Sequence, residues 1–170
     1  MLKIGNKVPK LGGAANGGKT VNLADYARRD SRAGAGRAGA AAGKFVVVYF
    51  YPKDNTTGCT REAQDFRDAA AQFARRGAVI LGVSRDSVKS HDGFAAKHEL
   101  PFTLIADSDE AWCKAFDVIQ EKTLYGRKYV GVVRSTFLID PDGKLRREWR
   151  NVKVPGHVAA VLAAIDEERK

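Results

Sequence analysis

The 170-residue sequence has little cysteine, with thiols only at Cys59 and Cys113. Two cysteines are too few for a disulfide scaffold or a four-ligand zinc site, and no Cys-x-x-Cys pair occurs. The three histidines, His91, His98 and His157, are not spaced as a metal cluster. We therefore expect neither a metal ion nor a cofactor, and the question becomes whether either thiol is reactive.

Long apolar segments are also missing. The longest apolar run, Phe45 to Tyr51, is far shorter than a membrane span. The N-terminus from Met1 to Lys10 has no apolar stretch after its lysines, as a secretory signal would. These absences predict a soluble, cytoplasmic protein with no membrane association.

Positive charge, in contrast, is abundant, and the formal net charge is +9. Basic residues concentrate in 28–44 and 144–153, but neither segment has the interleaved aromatic residues of a single-strand binder. A basic nucleic-acid-binding module remains an alternative, which salt-dependent DNA binding would support. We favour a solvated basic surface. The Gly, Ala and Arg composition of 28–44 predicts a mobile loop.

The order of apolar patterns predicts one α/β domain over residues 1–170, with a mixed central sheet flanked by helices. Buried strands are expected at Phe45 to Tyr51 and Ala78 to Val83, parallel to each other. The other expected elements are a short strand and helical turn at 20–26, helices at 60–76, 88–98, 109–116 and 155–166, and strands at 101–105, 130–139 and 145–149. The last two strands are separated by the turn Pro141-Asp142-Gly143 and should form a hairpin.

Cys59 stands where the first buried strand gives way to a helix. Free amides and the dipole at a helix start favour an anion, so this position favours the thiolate, the nucleophilic form. A small buried hydrophobe is the alternative, because free cysteine is among the most buried residue types. The position alone leaves both interpretations open.

The surrounding sequence favours a reactive thiol. The stretch YFYPKDNTTGCT places Pro52 and Thr56 seven and three residues before Cys59. It resembles the Pro-x-x-x-Thr-x-x-Cys motif of peroxiredoxins, and most closely the Q-type, or bacterioferritin-comigratory, subgroup. The resemblance implies a thioredoxin-like fold in which Pro52 shields the sulfur and Thr56 places a hydroxyl near it. Gly58 would let the backbone approach closely.

A second segment, GVVRSTFLID, resembles the family strand that carries a catalytic arginine, which maps onto Arg134. A guanidinium is permanently charged and presents a fork of donors that could hold a thiolate and polarise a peroxide. Glu62, one helical turn after Cys59, could hydrogen-bond in the same pocket or lie in solvent. Trp112 and Trp149 are interpreted as packing residues.

The implied activity is a thiol peroxidase that needs no cofactor. Cys59 would reduce hydrogen peroxide or an organic hydroperoxide and become a sulfenic acid, which a thioredoxin or glutaredoxin donor would reduce. A monomer is expected, and the 28–44 insert, longer than the family usually shows, should be dispensable for activity. A peroxide sensor that passes oxidation to a partner shares the same first step and remains an alternative. A thioredoxin-like disulfide reductase is disfavoured because position 62 is Glu.

The recycling step departs from the subgroup's pattern, since the usual resolving positions hold Gln64 and the Phe94-Ala95-Ala96 segment instead of cysteine. Cys113 is either an inert core thiol or a displaced resolving cysteine. We favour the inert thiol and a one-cysteine enzyme, because a buried free cysteine usually behaves as a small hydrophobe. A displaced resolving cysteine would require the first helix to unwind, since a disulfide needs the two Cα atoms within about 7 Å.

Overall fold

A computed structural model of the chain describes residues 2–28 and 42–170. Its strands are β1 (Gly12–Ala15), β2 (Lys19–Asn22), β3 (Phe45–Phe50), β4 (Ala78–Ser84), β5 (Thr103–Ala106), β6 (Ile119–Leu124), β7 (Arg127–Val132), β8 (Ser135–Ile139) and β9 (Leu145–Arg150). Its α-helices are α1 (Thr57–Asp68), α2 (Ala70–Arg75), α3 (Val88–Lys97), α4 (Ala111–Ala115) and α5 (His157–Glu168). Short 3-10 turns cover Asn16–Gly18 and Leu23–Tyr26. Most of the insert expected to be mobile, residues 29–41, lies outside the described ranges.

Seven strands form one mixed sheet in the order β2-β1-β5-β4-β3-β8-β9. The three strands β3, β4 and β5 are parallel, and the remaining neighbours pair antiparallel. All six residues of β3 are buried, as expected for a central strand covered on both faces. The expected mixed sheet with flanking helices is confirmed, and the fold is thioredoxin-like.

Two apolar clusters lie on opposite faces of this sheet, because successive side chains of a strand point to opposite faces. We call the cluster that contains Val47 and Tyr49 of β3 the first core; α1, α2, α3 and α5 pack into it. The second core contains Val46, Val48 and Phe50 of β3 and is covered by α4. The alternation along β3 thus divides the interior into two halves.

Several expected elements are present with small shifts of their ends. The parallel pairing of β3 with β4 and the antiparallel β8–β9 hairpin are confirmed. Ser87 caps α3 as expected, since its side chain accepts a hydrogen bond from the Ser90 amide at 3.1 Å. Trp112 is buried in the second core, in agreement with a packing role.

Other expectations are wrong in detail. The helix expected at 60–76 begins earlier, at Thr57, and is divided at Ala69, whose backbone (φ −100°, ψ 2°) leaves the helical region. The strand expected at 130–139 is two strands in two different sheets, β7 and β8, with Val133 and Arg134 between them. The β-favouring residues on both sides of Val133 and Arg134 conceal that break, because it arises where the chain crosses from one sheet to another.

Strand β6 was not expected and pairs antiparallel with β7 in a separate two-stranded sheet. Its sequence IQEKTL is largely polar, and half-exposed strands of this kind give little apolar signal. Strand β1, with the sequence GGAA, was missed for a similar reason. Among the described residues, no helix is both long and apolar enough to cross a membrane.

Candidate active site

Cys59 lies in the first turn of α1, directly beyond the carboxyl end of β3. The first hydrogen bond of the helix joins the Thr60 amide to the Thr56 carbonyl at 2.9 Å, so the amides of 57–59 form the leading turn. The side chain of Cys59 is 1% exposed and belongs to the first core. The helix start expected for this cysteine is confirmed, and its sulfur is shielded from bulk water.

Arg134 reaches this sulfur from the break between β7 and β8. Its Nη2 donates to Cys59 Sγ at 3.3 Å, and its Nη1 donates to Glu62 Oε1 at 2.7 Å. One guanidinium therefore bridges the thiol and a carboxylate on α1, one turn apart. The two residues that were matched on separate sequence motifs, Cys59 and Arg134, are brought together.

Gly58 makes this approach possible. A Cβ atom built on Gly58 would lie 3.1 Å from Arg134 Nη2, closer than ordinary van der Waals contact. The absence of a side chain at this position allows the guanidinium to lie against the first turn of α1. The close backbone approach expected at Gly58 is thus present, with Arg134 as the group that uses it.

Glu62 lies in the pocket and not in solvent, which answers the question that the sequence left open. The residue is 1% exposed, and its Oε2 has no hydrogen-bond partner among the described residues. Burial raises the pKa of Glu62 to about 7, although the neighbouring Arg134 acts in the opposite direction. The carboxyl group of Glu62 therefore changes protonation state near neutral pH, and it does so in contact with Arg134, which also contacts Cys59 Sγ.

Aromatic and polar residues complete the buried wall. Tyr49 stacks on Phe66 with ring centroids 4.5 Å apart, and its hydroxyl has no partner among the described residues. Thr136 Oγ1 lies 2.8 Å from His157 Nε2 at the start of α5. Burial, with a smaller contribution from Arg134, lowers the pKa of His157 to about 4, so this histidine is neutral near pH 7. Tyr49 and His157 were not identified from sequence, because each reads there as an ordinary core or surface residue.

Pro52 and Thr56 lie on the loop between β3 and α1. Pro52 is partly buried, and Thr56 is exposed at the N-cap of α1. The Thr56 hydroxyl donates to the Lys53 carbonyl at 2.8 Å, and the expected contact with the sulfur is not among the hydrogen bonds of the described residues. In this conformation Thr56 fixes the loop that carries Pro52.

Cys113 lies far from this arrangement in the fold. It is fully buried in the second core, on the sheet face opposite to Cys59. Its backbone amide donates to Asp107 Oδ2 at 2.8 Å, and burial, with the help of this carboxylate, raises the pKa of its thiol far above the usual value. These features are those of an inert packing thiol, because a nucleophilic cysteine needs access and a favoured thiolate.

A thioredoxin-like sheet that holds a buried cysteine in the first turn of a helix, against an arginine, defines a thiol-dependent oxidoreductase. Comparison with known proteins narrows the class. Residues 4–148 match the model of the AhpC/TSA family. Peroxiredoxin Bcp of Xanthomonas campestris is 56% identical over 129 residues, 76% of this chain and 81% of that protein. Peroxiredoxin Bcp of Bacillus subtilis is 46% identical over 166 residues, 98% and 96% of the two chains.

Solved structures agree with this result. The bacterioferritin comigratory protein of Xanthomonas campestris, studied for alkyl peroxide reduction, superposes with a TM-score of 0.83 at 45% identity and covers 99% of this chain and 100% of its own. Peroxiredoxin Q of Xylella fastidiosa gives a TM-score of 0.87 at 40% identity, with 100% and 99% coverage. The chain belongs to the AhpC/TSA family and is a peroxiredoxin, a thiol-dependent peroxidase.

Proposed function

We propose that Cys59 is the nucleophile of this peroxidase and that Arg134 is the residue that orients and stabilises the reacting atoms. The observation that carries the proposal is the 3.3 Å contact between Arg134 Nη2 and Cys59 Sγ, made at a cysteine that is 1% exposed. A fixed positive charge within hydrogen-bond distance of the sulfur stabilises negative charge at the reacting atoms. The leading amides of α1 act in the same direction.

The first step is a two-electron oxidation of the sulfur. The Cys59 thiolate attacks the terminal oxygen of a hydroperoxide, an S–O bond forms, and the O–O bond breaks. The products are a Cys59 sulfenic acid and an alkoxide or hydroxide, which takes up the proton originally on the thiol and leaves as an alcohol or water. Arg134 stabilises the charge that moves from sulfur to the leaving oxygen. Thr56 and Pro52 shape the loop around the incoming peroxide.

The sulfenic acid is then reduced by an external thiol. One thiol of the donor displaces water and forms a mixed disulfide with Cys59, and a second thiol releases the reduced enzyme and oxidised donor. Two observations support an external donor: the sequence has no third cysteine, and Cys113 lies across the sheet from Cys59. A protein dithiol of the thioredoxin or glutaredoxin type fits this chemistry.

Hydrogen peroxide and organic hydroperoxides are the proposed substrates. The alkyl peroxide reduction studied in the Xanthomonas campestris relative supports the organic class. The first core, which contains Cys59 together with the rings of Tyr49 and Phe66, is largely apolar and suits a small alkyl group. We further propose that the enzyme works in the cytoplasm and as a monomer.

The test combines peroxide consumption with intact mass. The wild type and Cys113→Ala should consume peroxide with a thioredoxin or glutaredoxin donor, whereas Cys59→Ser should not. After one equivalent of peroxide without donor, the wild type should gain the mass of one oxygen atom, and a sulfenic-acid trap should label Cys59. Activity in Cys59→Ser would overturn the assignment of the nucleophile.

The Cys113→Ala variant is the matched control for recycling. A disulfide that joins Cys59 to Cys113 in the wild type, and is absent from Cys113→Ala, would overturn the external-donor step. Equal turnover of the two proteins with the same donor would support it.

A further inference from the structure

A buried polar network lies beneath the loop between β3 and α1. The centre of this network is Asp54, midway between Pro52 and Thr56 in sequence and 4% exposed. Its Oδ1 accepts the Tyr51 hydroxyl at 2.6 Å, and its Oδ2 accepts the Ser90 hydroxyl at 2.8 Å. The same Oδ2 lies 2.7 Å from Nδ1 of His91 on α3.

The network continues to the end of β4. The Asp54 amide donates to Asp86 Oδ2 at 2.9 Å, and the Ser84 hydroxyl donates to the same oxygen at 2.6 Å. Asp54 therefore joins the active-site loop to two other parts of the fold, α3 through its carboxylate and the β4 end through its amide. The Thr56 hydroxyl, in contrast, bonds only within the loop.

The hydrogen-bond partners show how tightly the central pair is held. His91 Nε2 lies 2.9 Å from the Ile105 carbonyl, which can only accept, so Nε2 donates. Burial disfavours the carboxylate of Asp54, but the hydrogen bonds from His91, Tyr51 and Ser90 outweigh it and lower its pKa below the ordinary value. The two side chains therefore form a buried pair, and both oxygens of Asp54 and both ring nitrogens of His91 have partners.

Three of these groups, Asp54, Asp86 and His91, have potential metal-ligand atoms within 4.8 Å of one another. Each of those side chains already has partners from the protein. Asp54 accepts two hydroxyl groups, Asp86 Oδ2 accepts an amide and a hydroxyl, and His91 uses both ring nitrogens. The cluster is therefore a hydrogen-bonded network whose side chains already have protein partners, and not a set of ligands available to a metal ion.

We propose that Asp54 and His91 are a positioning pair for the peroxidase reaction, which holds the Pro52–Thr56 loop against α3 so that Cys59 stays within reach of Arg134. The pair touches neither the sulfur nor Arg134 and acts through the loop. Removing one partner of a buried hydrogen-bonded pair leaves the other polar group unsatisfied, so either single substitution should release the loop. The proposal rests on Cys59 as the peroxide-reactive thiol.

The test compares Asp54→Asn, His91→Gln and the double variant with the wild type in single-turnover oxidation of Cys59 by hydrogen peroxide. Each single substitution should lower the second-order rate constant by about ten-fold or more, because small misplacements of reacting groups are costly. The double variant should lose no more than the worse single variant, since both act through one contact. Alkylation of Cys59 by iodoacetamide, which needs access but no peroxide-orienting donors, should become faster because the sulfur is otherwise 1% exposed.

The controls are Ile165→Val and Ile165→Ala, a graded pair of cavities on α5 in the same core and away from the loop. They should lower the urea midpoint and leave the peroxide rate constant unchanged. If the Ile165 variants instead lose peroxide rate in proportion to their loss of urea midpoint, and the Asp54 and His91 variants fall on the same line, the positioning role is overturned. Additive losses in the double variant, or rate constants within two-fold of the wild type, would also overturn it.

Ser90→Ala covers the case in which Asp54→Asn does not fold. It removes one of the hydroxyl donors to Asp54 and should give a smaller loss of the peroxide rate constant in the same direction. A wild-type rate constant for Ser90→Ala in that case would count against the pair. If the wild type shows no Cys59-dependent reaction with peroxide, the nucleophile assignment fails. If the wild type reacts through Cys59 and the Asp54 and His91 variants react at the same rate, only the positioning pair fails.

Discussion

Replacing Glu62 by glutamine should change how the stability of this protein depends on pH. Burial raises the pKa of Glu62 from the ordinary 4.5 to about 7 in the folded protein. Between these two values the unfolded chain releases the proton and the folded chain keeps it. The contribution of Glu62 to stability is therefore fully present below pH 4.5 and is lost as the pH rises through 7.

The size of the effect follows from the distance between the two pKa values. At about 1.4 kcal/mol for each pH unit, the wild type should lose about 3 kcal/mol of unfolding free energy relative to Glu62→Gln between pH 4 and pH 8. Glutamine keeps an amide oxygen for Arg134 Nη1, now 2.7 Å from Glu62 Oε1, and cannot titrate. The stabilities of the two proteins should thus be closest near pH 4 and furthest apart near pH 8.

Urea unfolding followed by the fluorescence of Trp112 and Trp149, under reducing conditions and at intervals across this range, measures the difference directly. Because both proteins share every other titrating group, subtraction isolates residue 62. Repeating the comparison in a Cys59→Ser background removes any contribution from the thiol. A difference that is flat with pH, or that grows in favour of the wild type, would show that the folded protein does not hold Glu62 protonated, and the reasoning from burial would be wrong.

Two further predictions concern His157 and Gly58. His157→Gln should remove a pH dependence of stability that has the opposite sign to that of Glu62. Because the pKa of His157 is lowered to about 4 in the folded protein, its contribution to stability is present above pH 6.5 and is lost as the pH falls through 4. The wild type should therefore lose stability relative to the variant on acidification. Urea midpoints between pH 4 and 7 check this, and equal midpoints throughout would contradict it. Gly58→Ala should push Arg134 Nη2 away from the sulfur and lower the rate constant of Cys59 with peroxide by about ten-fold, equivalent to about 1.4 kcal/mol. The helix should not lose stability, since alanine is a better helix former than glycine. Stopped-flow oxidation together with a melting curve separates the two effects, and an unchanged rate constant would mean that the guanidinium can move without consequence.

Much of the fold was accessible from local patterns. The strands β3 and β4 were predicted because buried parallel strands give continuous apolar runs. The breaks were not predicted, since alanine at position 69 is a good helix former and the polar pair Arg134-Ser135 does not by itself show that the chain changes sheet. The pairing of β6 with β7 was also missed, because a half-exposed strand with a polar sequence lacks the alternation that predicts strands.

Some residues of the site were likewise predictable from sequence motifs, and others were not. Cys59 and Arg134 were found through short motifs, and their contact at 3.3 Å agrees with the roles expected for them. Asp54 and His91 carry no motif, because a lone acid in a polar loop and a lone histidine on a helix are ordinary surface residues until the chain folds. Their contact joins positions 37 residues apart.

By itself, the sequence determined the kind of chemistry: one cysteine at the start of a helix, a proline and a threonine before it, and an arginine on a distant strand. These follow from residue type and near spacing, which a linear chain displays. Only the tertiary structure decided which charges are buried together, that Glu62 faces the pocket, and that Cys113 lies across the sheet from Cys59. Burial and sheet face depend on contacts between residues far apart in the chain. These contacts determine the protonation of Glu62 and keep Cys113 apart from Cys59.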